Sequence, residues 1–92
     1  MPTSSACRLL ISGRVQGVSF RYYMREAAQK LGVSGWCRNL SDGRVEALVC
    51  GSPEQLTAMQ DWAWQGPPEA VVEQVDVSPA EEEKITSFEI RQ

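Results

Sequence analysis

The chain has no histidine among its 92 residues. That absence removes the Ser-His-Asp and Cys-His arrangements, in which an imidazole takes the nucleophile's proton. Cysteine is scarce and scattered: Cys7, Cys37 and Cys50 are an odd number without CxxC spacing, which argues against a disulfide framework, a zinc site and an iron–sulfur cluster. Cys7 and Cys50 read instead as small apolar core residues. A cysteine phosphatase would carry arginine six residues after its nucleophile, yet Gly43 stands six after Cys37, with Arg44 one step late. A Walker loop is excluded because no GK[ST] follows the glycines. Long apolar runs are also missing, since Arg8 interrupts the first one, so neither a secretion leader nor a membrane span is expected. With the unpaired thiols, this points to a reducing, cytoplasmic setting. There is no linker, low-complexity tract or repeat beyond two βαβ halves. A hydrophobic content of 42% over this length suffices for one core, so residues 1–92 are expected to form a single domain, working as a monomer.

What is present is unevenly placed. Residues 1–44 carry seven basic groups against two acidic ones, a balance of +5, whereas the remainder carries two against ten, a balance of −8. An anionic ligand is drawn to the front half. Nucleic acid is a poor partner, because a pI near 4.9 and an acidic second half oppose binding along a phosphate backbone.

The front half holds the most informative stretch, GRVQGVSFR from Gly13 to Arg21, which ends a strand, forms a loop and opens a helix. Backbone N–H groups around such a turn converge on one oxyanion, the free donors of the helix start join them, and glycine permits the conformations required. Arg21 sharpens the point. A cation in the first turn opposes the helix dipole by ~0.3–1 kcal/mol, so it is misplaced unless an anion lies between it and the helix end. Guanidinium forks match phosphate oxygens in paired, charge-assisted hydrogen bonds. A solvated surface arginine is the plainer alternative, and the flanking glycines weigh against it. Ser19 lacks an activating base and reads as the helix cap rather than a nucleophile. Arg14 and Arg38 read as solvated charges.

A coarse pass along the chain gives a strand over about Cys7–Ser12, with Cys7, Leu9 and Ile11 alternating with Arg8, Leu10 and Ser12. A helix runs from the loop to about Leu31, placing Phe20, Met24, Ala27, Ala28 and Leu31 on one face with Gly32 as its stop. Strands over about Gly35–Asn39 and Arg44–Cys50 join through Ser41, Asp42 and Gly43 as a hairpin. Ser52, Pro53 and Gln55 spell a capping box at a second helix that turns Leu56, Met59 and Ala63 inward. Gly66, Pro67 and Pro68 end it, and strands follow over about Val71–Val77 and Phe88–Arg91. The Glu81–Glu83 run reads as a solvated turn, and Trp36, Trp62 and Trp64 as packing or surface residues. The order β-α-β-β-α-β with an extra terminal strand is ferredoxin-like: an α+β sandwich of an antiparallel four- to five-stranded sheet with both helices on one face. Fold alone leaves function open. An RNA-recognition domain would show aromatics on its central strands, and the third strand, RVEALVC, has none.

The series GRVQGVSFR, Leu31-Gly32, Gly35-Trp36, Arg38-Asn39, Asp42-Gly43 with Val45-Glu46, Gly66-Pro67-Pro68 with Ala70, and Phe88 to Arg91 strongly resembles the acylphosphatase family over nearly the whole chain. The resemblance implies hydrolysis of a small acyl phosphate to a carboxylate and inorganic phosphate, without metal or cofactor. It gives Arg21 to the phosphate and Asn39 to the attacking water. The backbone N–H groups of Gln16, Gly17, Val18, Ser19 and Phe20 form the phosphate cradle, so changes to their side chains are expected to be mild. A neutral amide at Asn39 orients water but is no base, so the bound phosphate is expected to accept the proton. Some members are implied to join the terminal carboxylate to Arg21; Gln92 departs from that pattern, as Cys37 does from an expected aliphatic residue. The alternatives are a non-catalytic phosphate-binding regulatory module and a carbamoyl-phosphate-processing domain of a larger protein.

Overall fold

A computed structural model describes residues 5–92; residues 1–4 of the expected domain lie outside it. The elements are β1 (Ser5–Arg14), α1 (Phe20–Leu31), β2 (Ser34–Asn39), β3 (Val45–Gly51), α2 (Pro53–Gln65), β4 (Val71–Pro79) and β5 (Phe88–Arg91). They make one five-stranded sheet in the order β4-β1-β3-β2-β5, with the two helices packed against it. The ferredoxin-like α+β expectation holds, with one refinement. β5 runs parallel to β2, so the sheet is mixed rather than wholly antiparallel. Most boundaries lie within two residues of those read from the sequence. β1 extends to Arg14 through a bulge at Ser12/Gly13 that alternation alone does not reveal.

The core follows the two periodicities. From β1 come Cys7, Leu9 and Ile11, from β3 Val45, Ala47 and Val49, from α1 Phe20, Met24 and Ala28, and from α2 Leu56, Met59 and Ala63. The box at α2 is closed at both ends: Ser52 Oγ accepts from Gln55 N at 3.2 Å, and Gln55 Oε1 accepts from Ser52 N at 2.8 Å. The Gln55 amide also donates to Leu31 O at 2.8 Å, which ties the start of α2 to the end of α1. Helix α1 stops at Gly32, whose φ of 74° suits a residue without Cβ. A Cβ on Gly35 would collide with the Leu48 carbonyl of β3, so β2 and β3 approach this closely only with glycine there.

Central strand β3 is buried on both faces. Its polar member, Glu46, faces away from the helices and receives Arg8 from β1 and Arg38 from β2, the latter at 2.6 Å. Burial alone would raise the Glu46 carboxyl pKa; the hydrogen bonds from Arg38 and Arg8 outweigh it and hold the group below the usual range. Arg38 and Arg91 stack over the Trp36 ring, at 5.5 and 5.1 Å from its centroid. Arg38 is exposed, as the sequence suggests, but it is also engaged on the open sheet face by Glu46 and Trp36. Among the described residues, no helix is long and apolar enough to cross a membrane.

Candidate active site

One residue before β1 ends, the bulge at Ser12/Gly13 redirects the strand while its pairing with β4 continues. Gly13 has φ 124°, and a Cβ there would run into the Val71 carbonyl and the Glu73 N–H of β4. The loop that follows is pinned by alternate residues. Val15 and Val18 sink into the core, while Gln16, Gly17 and Ser19 stay at the surface. Gly17 has φ 74° with open space around it, so its requirement is conformational and not steric. A loop anchored twice in five residues presents its N–H groups from a fixed frame.

Ser19 occupies the N-cap position, but not in the manner expected. It lies in the left-handed region (φ 59°, ψ 31°), and its side chain makes no cap bond. An ordinary cap is extended, and that geometry is what aims the hydroxyl at the N–H groups of the first turn. The first backbone bond of α1 is Tyr23 N to Ser19 O at 3.1 Å, so the N–H groups of Phe20, Arg21 and Tyr22 lie ahead of the helical ladder. Left-handed backbone at a non-glycine residue costs ~1–2 kcal/mol. Such strain concentrates where a site needs a particular backbone direction.

These donors open on a cleft of about 430 Å³ lined by Val15, Gln16, Gly17, Ser19, Phe20, Arg21, Tyr22, Asn39 and Ile90. Of the residues picked from the sequence, Gln16, Gly17, Ser19, Phe20, Arg21 and Asn39 meet there. Val18 is not among the lining residues, because its side chain turns inward as a core anchor; only its backbone N–H, between Gly17 and Ser19, is left for the role expected of it. Asn39 closes β2, paired in register with Val45, so the hairpin carries it to the rim opposite the loop. The Arg21 guanidinium donates to the carbonyl of Arg91 at 3.0 Å. That leaves the rest of its five donors for a ligand. A main-chain oxygen on β5 thus holds this side chain. Phe20 is core as much as cleft, its ring edge-on to Trp62 with centroids 5.3 Å apart.

Two expectations change at this point. The side chain of Gln16 is not incidental: its amide donates to Leu40 O at 2.8 Å and to Arg44 O at 3.0 Å, lashing the loop to the hairpin that bears Asn39. Val18 and Phe20 are likewise buried, so their replacement is not mild. We expect Gln16→Ala to lose ~1–3 kcal/mol of stability through the loss of two hydrogen bonds, even though Leu40 O still accepts from Gly43 N and Arg44 O from Leu40 N, and also to lose activity, because loop and hairpin are then free to part. Denaturant titration and kcat on the same preparation check both. Sequence reasoning missed Val15, Tyr22 and Ile90 as lining residues; Tyr22, an apolar ring beside Arg21 in the first turn, carried the signal.

The titration chemistry of the cleft is sparse. No aspartate or glutamate lines it. Cys37, fully buried, lies beneath it, with Sγ 3.8 Å from the Arg21 carbonyl. Burial pushes the Cys37 thiol up to about 12, against a partial opposing pull from Arg21 and Arg25. A thiol that stays protonated is neither nucleophile nor metal ligand at neutral pH. The cleft thus combines backbone donors with the Arg21 guanidinium, the Asn39 amide and the Ser19 and Tyr22 hydroxyls, the Gln16 amide being committed to Leu40 and Arg44.

Comparison with known proteins places the whole chain rather than single residues. The family model described as Acylphosphatase matches residues 7–90. A curated Acylphosphatase of Halorhodospira halophila is 48% identical over 88 residues, covering 96% of each chain. The solved acylphosphatase from Coxiella burnetii superposes with a TM-score of 0.93 at 36% identity, over 97% of this chain and 94% of that one. Full-length HypF in its phosphate- and nucleotide-bound form also matches, with a TM-score of 0.91 at 29% identity, all of this chain aligning to 12% of that one. With the family model spanning loop, hairpin and closing strand together, the chain belongs to the acylphosphatase family.

Proposed function

We propose that the protein hydrolyses small acyl phosphates to a carboxylate and inorganic phosphate, with the cleft at the start of α1 as its active site. The observation that carries this is the joining of Arg21, the first-turn donors and Asn39 around one opening, on a chain of this family. The backbone N–H groups of Gln16 to Phe20 and the Arg21 guanidinium hold the phosphoryl oxygens, and Asn39 aims a water at phosphorus. The water oxygen forms the new P–O bond while the bond from phosphorus to the acyl oxygen breaks. The carboxylate leaves with that electron pair, and the water's proton passes to a phosphoryl oxygen. Such a leaving group is stable as it departs, so positioning and charge stabilisation suffice. The lack of an acidic residue or histidine in the cleft supports the phosphate as proton acceptor.

The first test is benzoyl phosphate hydrolysis by purified protein in the presence of EDTA. Turnover supports the reading. Its absence, with inorganic phosphate still bound, would turn the assignment to a non-catalytic phosphate-binding module. A second reading, a domain serving a larger enzyme, has the HypF likeness in its favour, while the Halorhodospira relative is matched over 96% of its own length. We further propose a single monomeric domain acting in the cytoplasm on small molecules rather than nucleic acid. Three free, buried thiols and the acidic second half of the sequence support this.

A further inference from the structure

The phosphate end of the cleft is polar, and the lining residues differ sharply in what they offer the other end of a substrate. Val15 and Phe20 are 1% and 2% exposed, so they form a floor that no ligand reaches. Two apolar side chains remain accessible: Tyr22, which is 49% exposed, and half-buried Ile90. Both are placed by Arg21. Tyr22 is its neighbour in the first turn of α1, and Ile90 precedes the residue whose carbonyl holds the guanidinium. An acyl group attached to a phosphate at Arg21 therefore meets one or both.

The Tyr22 ring is also braced. The Arg25 guanidinium lies over it, 5.5 Å from the centroid, and Tyr23 meets it edge-on at 5.5 Å and 81°. A ring held in this way loses little freedom when a second flat group packs on it, which is the condition for an aromatic contact to add to affinity. The charge inventory points the same way. Arg21 is the sole cation among the lining residues, and the phosphate engages it, so a second anionic group on the acyl portion finds no partner in the cleft.

We propose that Tyr22 and Ile90 form an apolar wall that receives the acyl group and gives the enzyme a preference for acyl phosphates with aromatic or bulky apolar acyl groups over small ones. This rests on the acyl phosphate reading above. The test compares kcat/KM for benzoyl phosphate with kcat/KM for acetyl phosphate in wild type, Tyr22→Ala and Tyr22→Phe. The expected result is a fall of about 10-fold in the benzoyl-to-acetyl ratio for Tyr22→Ala, equivalent to ~1.4 kcal/mol, arising chiefly in KM for benzoyl phosphate. Tyr22→Phe, which keeps the ring, retains the wild-type ratio. Tyr22 is half exposed and its replacement is compatible with folding; Tyr22→Gln supplies the same comparison if the alanine variant does not fold. A ratio within twofold of wild type in the ring-less variant overturns the wall and leaves acyl phosphate hydrolysis standing. Absence of turnover of either substrate by wild type overturns both.

Discussion

Arg21→Ala is expected to lower kcat/KM for acyl phosphate hydrolysis by at least ~100-fold while leaving the folded protein no less stable than wild type. The two halves of that expectation come from different physics. In the transition state, negative charge spreads over the phosphoryl oxygens, and a guanidinium fixed beside them stabilises it without reorganising. In the folded protein without ligand, the same cation sits at the positive end of α1, an arrangement worth ~0.3–1 kcal/mol against folding. Among the described residues its anchor is the Arg91 carbonyl, and the acceptor left behind lies on an exposed edge strand where water replaces the lost donor. Inhibition by inorganic phosphate should weaken in parallel, since product and substrate share the cradle. A surface arginine without function would instead leave kcat/KM near wild type. Steady-state kinetics with product inhibition, together with denaturant titration, separate the two cases.

Asn39→Ala is expected to reduce kcat by ~100- to 1000-fold, with KM and phosphate inhibition changed far less. This amide engages the attacking water rather than the phosphate, so its loss falls on the step in which the water's orientation matters. The site can spare the side chain structurally, because Asn39 holds its place through backbone pairing with Val45. A large rise in KM with kcat preserved would show that Asn39 binds substrate instead, and would remove the role given to it. Because no carboxylate or histidine lines the cleft, kcat of wild type should also lack an enzyme group titrating near neutral pH.

The legible parts of the fold were those fixed by local rules. The faces of α1 and α2, the capping box at Ser52 and Gln55, and the alternation of β1 are each set by residues close together in the chain. Arg21 stood out because a cation in the first turn of a helix is out of place by local criteria, whereas Asn39 was marked only by the resemblance to the family. What escaped the sequence depends on distant partners. Gln16 looks like a loop residue until its amide is seen spanning to Leu40 and Arg44. Glu46 carries no local sign of its burial, which comes with two arginines reaching it from neighbouring strands. Ser19 matches a cap by residue type, while its backbone, turned by the loop before it, forbids the capping bond. The parallel docking of β5 is a matter of topology that its four residues do not encode.

The bond from Arg21 to Arg91 joins residues 70 positions apart. The chain section between them includes every other strand of the sheet except β1, so closing that loop is among the costlier steps in ordering the chain, and contacts of such separation form late and slowly. Loop and helix start can take shape from neighbours alone, but the guanidinium is steadied only after β5 has docked beside β2. Recovery of turnover during refolding should therefore trail the recovery of helical signal, making catalysis a clock for the final stage of folding.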